Sequence, residues 1–182
     1  MSAVPELHLP NILTLSRLAL APVFVWFFIQ SHTHPSARWA AAIVFLAASL
    51  TDLVDGYLAR RRNQVTPFGA IADPIADKLL TGSALIGLSL EGTVAWWVTW
   101  VILGREALVT VVRLAVLRRG VIPASRGGKV KTVSQIVAIV AYLVPLGQLG
   151  ADLGAATMVV ALVLTLGTGV DYIARAIRLH RV

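Results

Sequence analysis

Apolar residues fall into six long runs, near 12–30, 37–60, 69–90, 95–117, 130–149 and 154–176. Short polar stretches separate them: Ser31–Ser36 with Pro35, Asn63–Pro67, Leu90–Thr93, Arg118–Gly128 with Pro123, and Gly147–Gly154. Each run approaches the roughly 20 residues that carry an α-helix across a bilayer. Breaks this short join neighbouring antiparallel helices. The pattern predicts an all-α integral membrane protein, with six transmembrane helices in a single bundle making one domain over 1–182. Ahead of the first run, residues 1–11 contain Pro5 and Pro10 with Leu7 and Leu9 between them, which predicts a short segment on the membrane surface. The opening Met-Ser-Ala-Val-Pro-Glu lacks the basic region of a cleaved signal peptide, so the first run is expected to be a retained helix.

Composition agrees with a lipid solvent. Apolar residues make up 57% of the 182 and charged residues 14%, against roughly 45–50% and about 25% in soluble chains. Basic residues add an orientation. Arg60, Arg61 and Arg62 follow the second run, Arg118, Arg119, Arg126, Lys129 and Lys131 surround the fourth break, and Arg175, Arg178 and Arg181 end the chain. Six crossings place all three groups on one side, which the inside-positive rule makes cytoplasmic together with both termini. The net charge of +7 then reads as orientation and contact with anionic lipid headgroups, not as nucleic-acid binding, because no basic stripe with interleaved aromatics is present. Trp96, Trp97 and Trp100 open the fourth run, where an interfacial aromatic belt belongs. Without cysteine, disulfides, zinc-thiolate sites and thiol nucleophiles are excluded, and the four histidines are too scattered for a triad or metal cluster.

Against this background the acidic residues stand out. Asp52, Asp55, Asp73, Asp77, Glu106 and Asp171 lie inside apolar runs, where each aspartate near a helix centre costs roughly 2.5–3.5 kcal/mol. Asp52, Asp55, Gly56 and Ala59 share one helix face by their spacing, and Gly69, Asp73 and Asp77 share another. Two such helices facing each other bring four carboxylates to one pocket, with small residues leaving room for a ligand. Four anions so close require cations, and hard divalent ions such as Mg²⁺ suit oxygen ligands and substrate phosphates. Ion pairs with Arg60, Arg61, Arg62 or Lys78 would account for one or two of the acids, but not for the small residues in register with all four.

The stretch Asp52-Leu-Val-Asp55-Gly56-Tyr-Leu-Ala59-Arg60, a spacer, then Gly69-Ala-Ile-Ala-Asp73-Pro-Ile-Ala-Asp77 resembles the signature of the CDP-alcohol phosphotransferases, with all eight fixed positions filled. Members are six-helix membrane enzymes, usually homodimeric, that release CMP while joining a phosphoryl-lipid or phosphoryl-alcohol unit to a hydroxyl. The resemblance implies that Asp52, Asp55, Asp73 and Asp77 hold two divalent ions, Mg²⁺ or Mn²⁺, and that Asp77 also accepts the proton. It implies a CDP-lipid site formed by Gly56, Ala59, Arg60, Thr66, Gly69 and the Leu9-Pro10-Asn11-Ile12 helix start, with Thr14 beyond it.

Further stretches resemble one branch, the phosphatidylglycerophosphate synthases: Asn11-Ile-Leu-Thr14-Leu-Ser-Arg17, Gly104-Arg105-Glu106 through Arg113, Ser125-Arg126-Gly-Gly128-Lys129-Val-Lys131-Thr132 through Gln135, and Gly169-Val-Asp171-Tyr172. This branch implies CDP-diacylglycerol as donor and glycerol 3-phosphate as acceptor. An acceptor carrying its own phosphate needs fixed cations, for which Arg105, Arg113, Lys129 and Lys131, with Ser125, are the candidates. The competing assignment gives Arg105 to Glu106 and leaves the two lysines as ordinary inside-positive residues. Asp171 and Arg175, four apart, are expected to be a structural pair. A cardiolipin synthase of the same superfamily, with phosphatidylglycerol as acceptor, is the nearest alternative. A divalent-cation transporter is the alternative from another class, although it leaves Gly56, Ala59 and Arg60 without a role.

Overall fold

The computed structural model describes the backbone of residues 9–62, 67–116 and 126–180, and the side chains of 16–51, 75–76, 78–112 and 127–175. Among these residues all regular structure is helical, with α1 Leu9–Gln30, α2 Pro35–Arg62, α3 Pro67–Leu90, α4 Trp96–Val116, α5 Arg126–Leu143 and α6 Gln148–His180. The helices answer in number and order to the six apolar runs. Leu9–Asn11, expected in a surface segment, already belong to α1, and residues 1–8 lie outside the described ones.

The chain divides into two compact units, 1–84 and 85–182. In the first, α1 packs on α2. Phe24 and Phe45 are fully buried, with ring centroids 5.7 Å apart, and Phe28 lies 5.8 Å from Phe24. Ala21, Ala41, Ala42 and Ala48 are buried around them and let the two backbones approach. The Arg38 guanidinium sits 5.1 Å from the centre of the Phe28 ring, a cation–π contact at the end where the chain turns. That turn follows from local chemistry: Pro35, which has no N–H to satisfy, occupies the first helical position of α2, while the His34 carbonyl accepts from the Ala37 N–H at 2.9 Å.

In the second unit the end of α3 turns into α4 through Gly92, whose φ of 74° is the left-handed conformation that glycine adopts without strain. The Thr93 N–H donates to the Leu88 carbonyl and the Gly92 N–H to that of Ser89, a Schellman ending. The buried Ser89 and Thr99 hydroxyls share a 2.7 Å hydrogen bond between the two helices. Beyond these, α6 packs on both α5 and α4.

One boundary departs from the expected break at Gly147–Gly154. The chain instead turns between Leu143 and Gln148, because Pro145 disfavours helix at the residue before it and Gly147, at φ 60°, reverses the chain. Gly150 and Gly154 are then packing residues inside α6. A Cβ on Gly150 would lie 2.9 Å from the Ala141 carbonyl, and one on Gly154 would lie 2.7 Å from carbons of the Tyr142 ring. Their missing side chains let α5 and α6 close on each other.

Among the described residues, one stretch, Gln148–Arg175, is long and apolar enough to cross a membrane, with only 28% of its most apolar part buried. Shorter apolar helical stretches cover Ser16–Gln30, Pro35–Thr51 and Lys78–Leu90. Trp26, Ile29, Ile43, Val159, Val163 and Val170 are each more than half exposed. Trp96 and Trp100 stack with centroids 5.9 Å apart and are exposed with Trp97 at the start of α4.

Candidate functional site

The aspartates lie on two continuous helices. The backbone of α2 runs unbroken from Pro35 to Arg62, so Asp52, Asp55, Gly56 and Ala59 sit on one helix at the spacing that shares a face, with Arg60 next along it. Gly69, Asp73 and Asp77 likewise belong to α3. Leu9, Pro10, Asn11, Ile12 and Thr14 lie in the first turns of α1. The side chains of all these residues, and Thr66 and Ser125 entirely, are outside the described residues. As a donor set, four carboxylates with no cysteine in the chain suit a hard divalent cation and no softer one.

Separately, the second unit holds a polar cluster formed by α4, α5 and α6. Arg105 and Glu106 come from α4, Lys131 from α5, and Thr168 and Gly169 from α6. Glu106 Oε1 accepts from Arg105 Nη1 at 3.0 Å and also from Lys131 Nζ. The three side chains keep only 15%, 16% and 8% of their surface for Arg105, Glu106 and Lys131. A shared carboxylate is what permits two cations at this depth, since an unpaired charge there would be costly.

Arg105 is fixed on its other side by α6. Its Nη2 donates to Thr168 Oγ1 at 2.8 Å, while the Thr168 hydroxyl donates to the Leu164 carbonyl at 2.6 Å. Spending the Thr168 proton on its own helix turns the oxygen's lone pairs to the guanidinium. The stem of Arg105 crosses α6 at Gly169, where a Cβ would stand 3.0 Å from Nε and 3.1 Å from Cγ. The buried Arg105 Nε has no partner among the described residues, nor have Gln135 Nε2, one turn beyond Lys131 on α5, and Thr165 Oγ1, one turn before Thr168 on α6. Among the described residues, two cations against one carboxylate leave a single net positive charge.

Of the acceptor-site candidates, Arg105 and Lys131 therefore come together, but through Glu106, the partner that the competing assignment gave Arg105. Lys129 is exposed, and Arg113, on α4, has its side chain outside the described residues. Lys131 lies more than a turn inside α5, which begins at Arg126, and is buried where an inside-positive lysine would be exposed. Asp171 and Arg175 form the expected pair at 3.0 Å on the exposed face of α6. Glu106 carried a signal in the sequence, an acid within an apolar run. Thr168 carried none, because threonine is common in membrane helices and only the packing of α6 on α4 gives it Arg105.

Comparison with known proteins adds the family. The profile described as CDP-alcohol phosphatidyltransferase matches residues 7–167. A protein of Mycobacterium tuberculosis named probable phosphatidylglycerophosphate synthase is 54% identical over 172 residues, covering 94% of this chain and 82% of its own length. Proteins named CDP-diacylglycerol–glycerol-3-phosphate 3-phosphatidyltransferase are similar too. That of Bacillus subtilis is 44% identical over 75% of this chain and 76% of its own. That of Escherichia coli is 39% identical over 94% and 96%. The filled eight-position signature on α2 and α3 lies within the matched span, and the chain belongs to the CDP-alcohol phosphatidyltransferase family.

Proposed function

We propose that this enzyme transfers the phosphatidyl group of CDP-diacylglycerol to glycerol 3-phosphate, giving phosphatidylglycerophosphate and CMP. The observation that carries it is the complete signature on two unbroken helices, α2 and α3, in a chain whose relatives bear the name of this reaction over almost its whole length. The α4–α6 cluster supports a phosphorylated acceptor. Among the described residues it holds a net positive charge and a buried N–H donor, Arg105 Nε, without a protein partner.

In this reaction the acceptor hydroxyl attacks the phosphatidyl phosphorus, its proton passes to the Asp77 carboxylate, and the bond to CMP breaks. Asp52, Asp55 and Asp73, with Asp77, hold the divalent cations, Mg²⁺ or Mn²⁺, that neutralise the pyrophosphate when bound. Gly56, Ala59, Arg60, Thr66, Gly69, Thr14 and the Leu9–Ile12 helix start bind the CDP-lipid. A forked guanidinium at Arg60 suits phosphate oxygens. Arg105, Arg113, Ser125, Lys129 and Lys131 receive the acceptor phosphate and orient its hydroxyl. The exposed apolar faces fit a multi-pass membrane bundle, one domain with both termini and the active site on the cytoplasmic side. The homodimer and the contact with anionic lipids belong to the same proposal.

The test is CMP release by purified enzyme from CDP-diacylglycerol with Mg²⁺ or Mn²⁺ and a panel of acceptors. Turnover with glycerol 3-phosphate is expected, and selective turnover with phosphatidylglycerol would make the protein a cardiolipin synthase instead.

A further inference from the structure

Nothing in the reaction requires α6 to carry a substrate-binding residue, yet α6 supplies two of the features that hold Arg105. We propose that Thr168 and Gly169 are positioning residues that set the affinity for the phosphorylated acceptor. They hold the Arg105 guanidinium in one orientation beside Lys131, with Glu106 as the anchor common to both cations. The inference rests on Arg105 and Lys131 being the acceptor-phosphate cations.

Arginine has a long stem whose freedom is lost when it binds a phosphate, and each disordered rotamer weakens the interaction. Here the stem lies in the slot left by Gly169, with a hypothetical Cβ only 3.0 Å from Nε. The head is tied at Nη1 to Glu106 and at Nη2 to Thr168. Lys131 approaches from α5 and shares Oε1 of Glu106, so three helices fix the relative position of two cations before any substrate arrives. A dianionic phosphomonoester gains from such preorganisation, because it must meet two charges at once. The CDP-lipid has its pyrophosphate on the α2 and α3 aspartates and gains nothing from it.

Steady-state kinetics on full-length enzyme in detergent test this through Thr168→Val, which keeps the shape and deletes the acceptor oxygen, and Thr168→Ser, which restores it. Thr168→Val is expected to raise the KM for glycerol 3-phosphate about tenfold, the loss of one charge-assisted contact, and to leave the KM for CDP-diacylglycerol unchanged. Thr168→Ser should return the KM towards wild type, and Gly169→Ala should shift it in the same direction as Thr168→Val. Arg105→Ala separates the two levels of the argument. If it raises the acceptor KM while Thr168→Val and Gly169→Ala do not, the positioning role is overturned and the acceptor site stands. If Arg105→Ala itself leaves the acceptor KM unmoved, both fall. Equal changes in the two KM values, or a fall in folded protein alone, would make α6 a structural support and overturn the inference.

Discussion

Replacing Glu106 with Gln removes one negative charge from a cluster that holds two positive ones. The amide keeps the size and an acceptor oxygen, so packing is preserved and the loss is electrostatic. Arg105 and Lys131 are 15% and 8% exposed as side chains, too buried for water to take over the lost charge. Removing one partner of a buried ion pair costs about 3–5 kcal/mol, because the other charge is left uncompensated. Here two charges are left, and they also repel each other. Against a total stability of about 5–15 kcal/mol that is a severe loss. Lys131→Met alone is milder: Glu106 keeps Arg105, so about 1.5–3 kcal/mol, one hydrogen bond to a charged group, is expected. The double variant is the decisive one. With the carboxylate neutralised, removing Lys131 relieves an orphaned cation, so Glu106→Gln with Lys131→Met should be no less stable than Glu106→Gln alone. Equilibrium unfolding in mixed detergent micelles, followed by helical circular dichroism, measures all four proteins as a cycle. A double variant destabilised by the sum of the two single losses would show that the cations do not depend on a common carboxylate, and the description of the cluster would fail.

The proposed metal and substrate sites give further tests. Asp52→Asn or Asp73→Asn should leave a folded protein, since the amide is cheaper to bury, and lower CMP release by orders of magnitude; near-normal turnover would remove these residues from metal binding. Arg113→Ala should raise the KM for glycerol 3-phosphate roughly ten- to a hundred-fold with little change for CDP-diacylglycerol, and Arg60→Ala should do the reverse, both read from initial rates with each substrate varied. Gly154→Ala places a methyl 2.7 Å from the Tyr142 ring, so a loss of about 1–3 kcal/mol is expected from overpacking. Tyr142→Leu in the same chain should recover part of it in the same unfolding assay.

By itself the sequence determined the helix count, the positions of most boundaries and the family. Runs of apolar residues near membrane length, ended by Pro35, Pro67 and Gly92, leave the backbone little choice. The signature itself was equally legible, because carboxylates within apolar runs are costly and therefore conspicuous, and their spacing of three and four is a local property of one helix. What only the tertiary structure decided is which residue meets which across helices. Gly150 and Gly154 look like turn glycines in the sequence and prove to be the contact surface of α6, since glycine serves both uses and only the neighbouring Ala141 and Tyr142 tell them apart. Arg105 and Lys131 are 26 positions apart and share one oxygen of Glu106, while Thr168, 63 positions from Arg105, is its other anchor. Such pairings depend on the rotation of each helix about its axis, which is set by the sum of many apolar contacts between helices and by no single residue in either one.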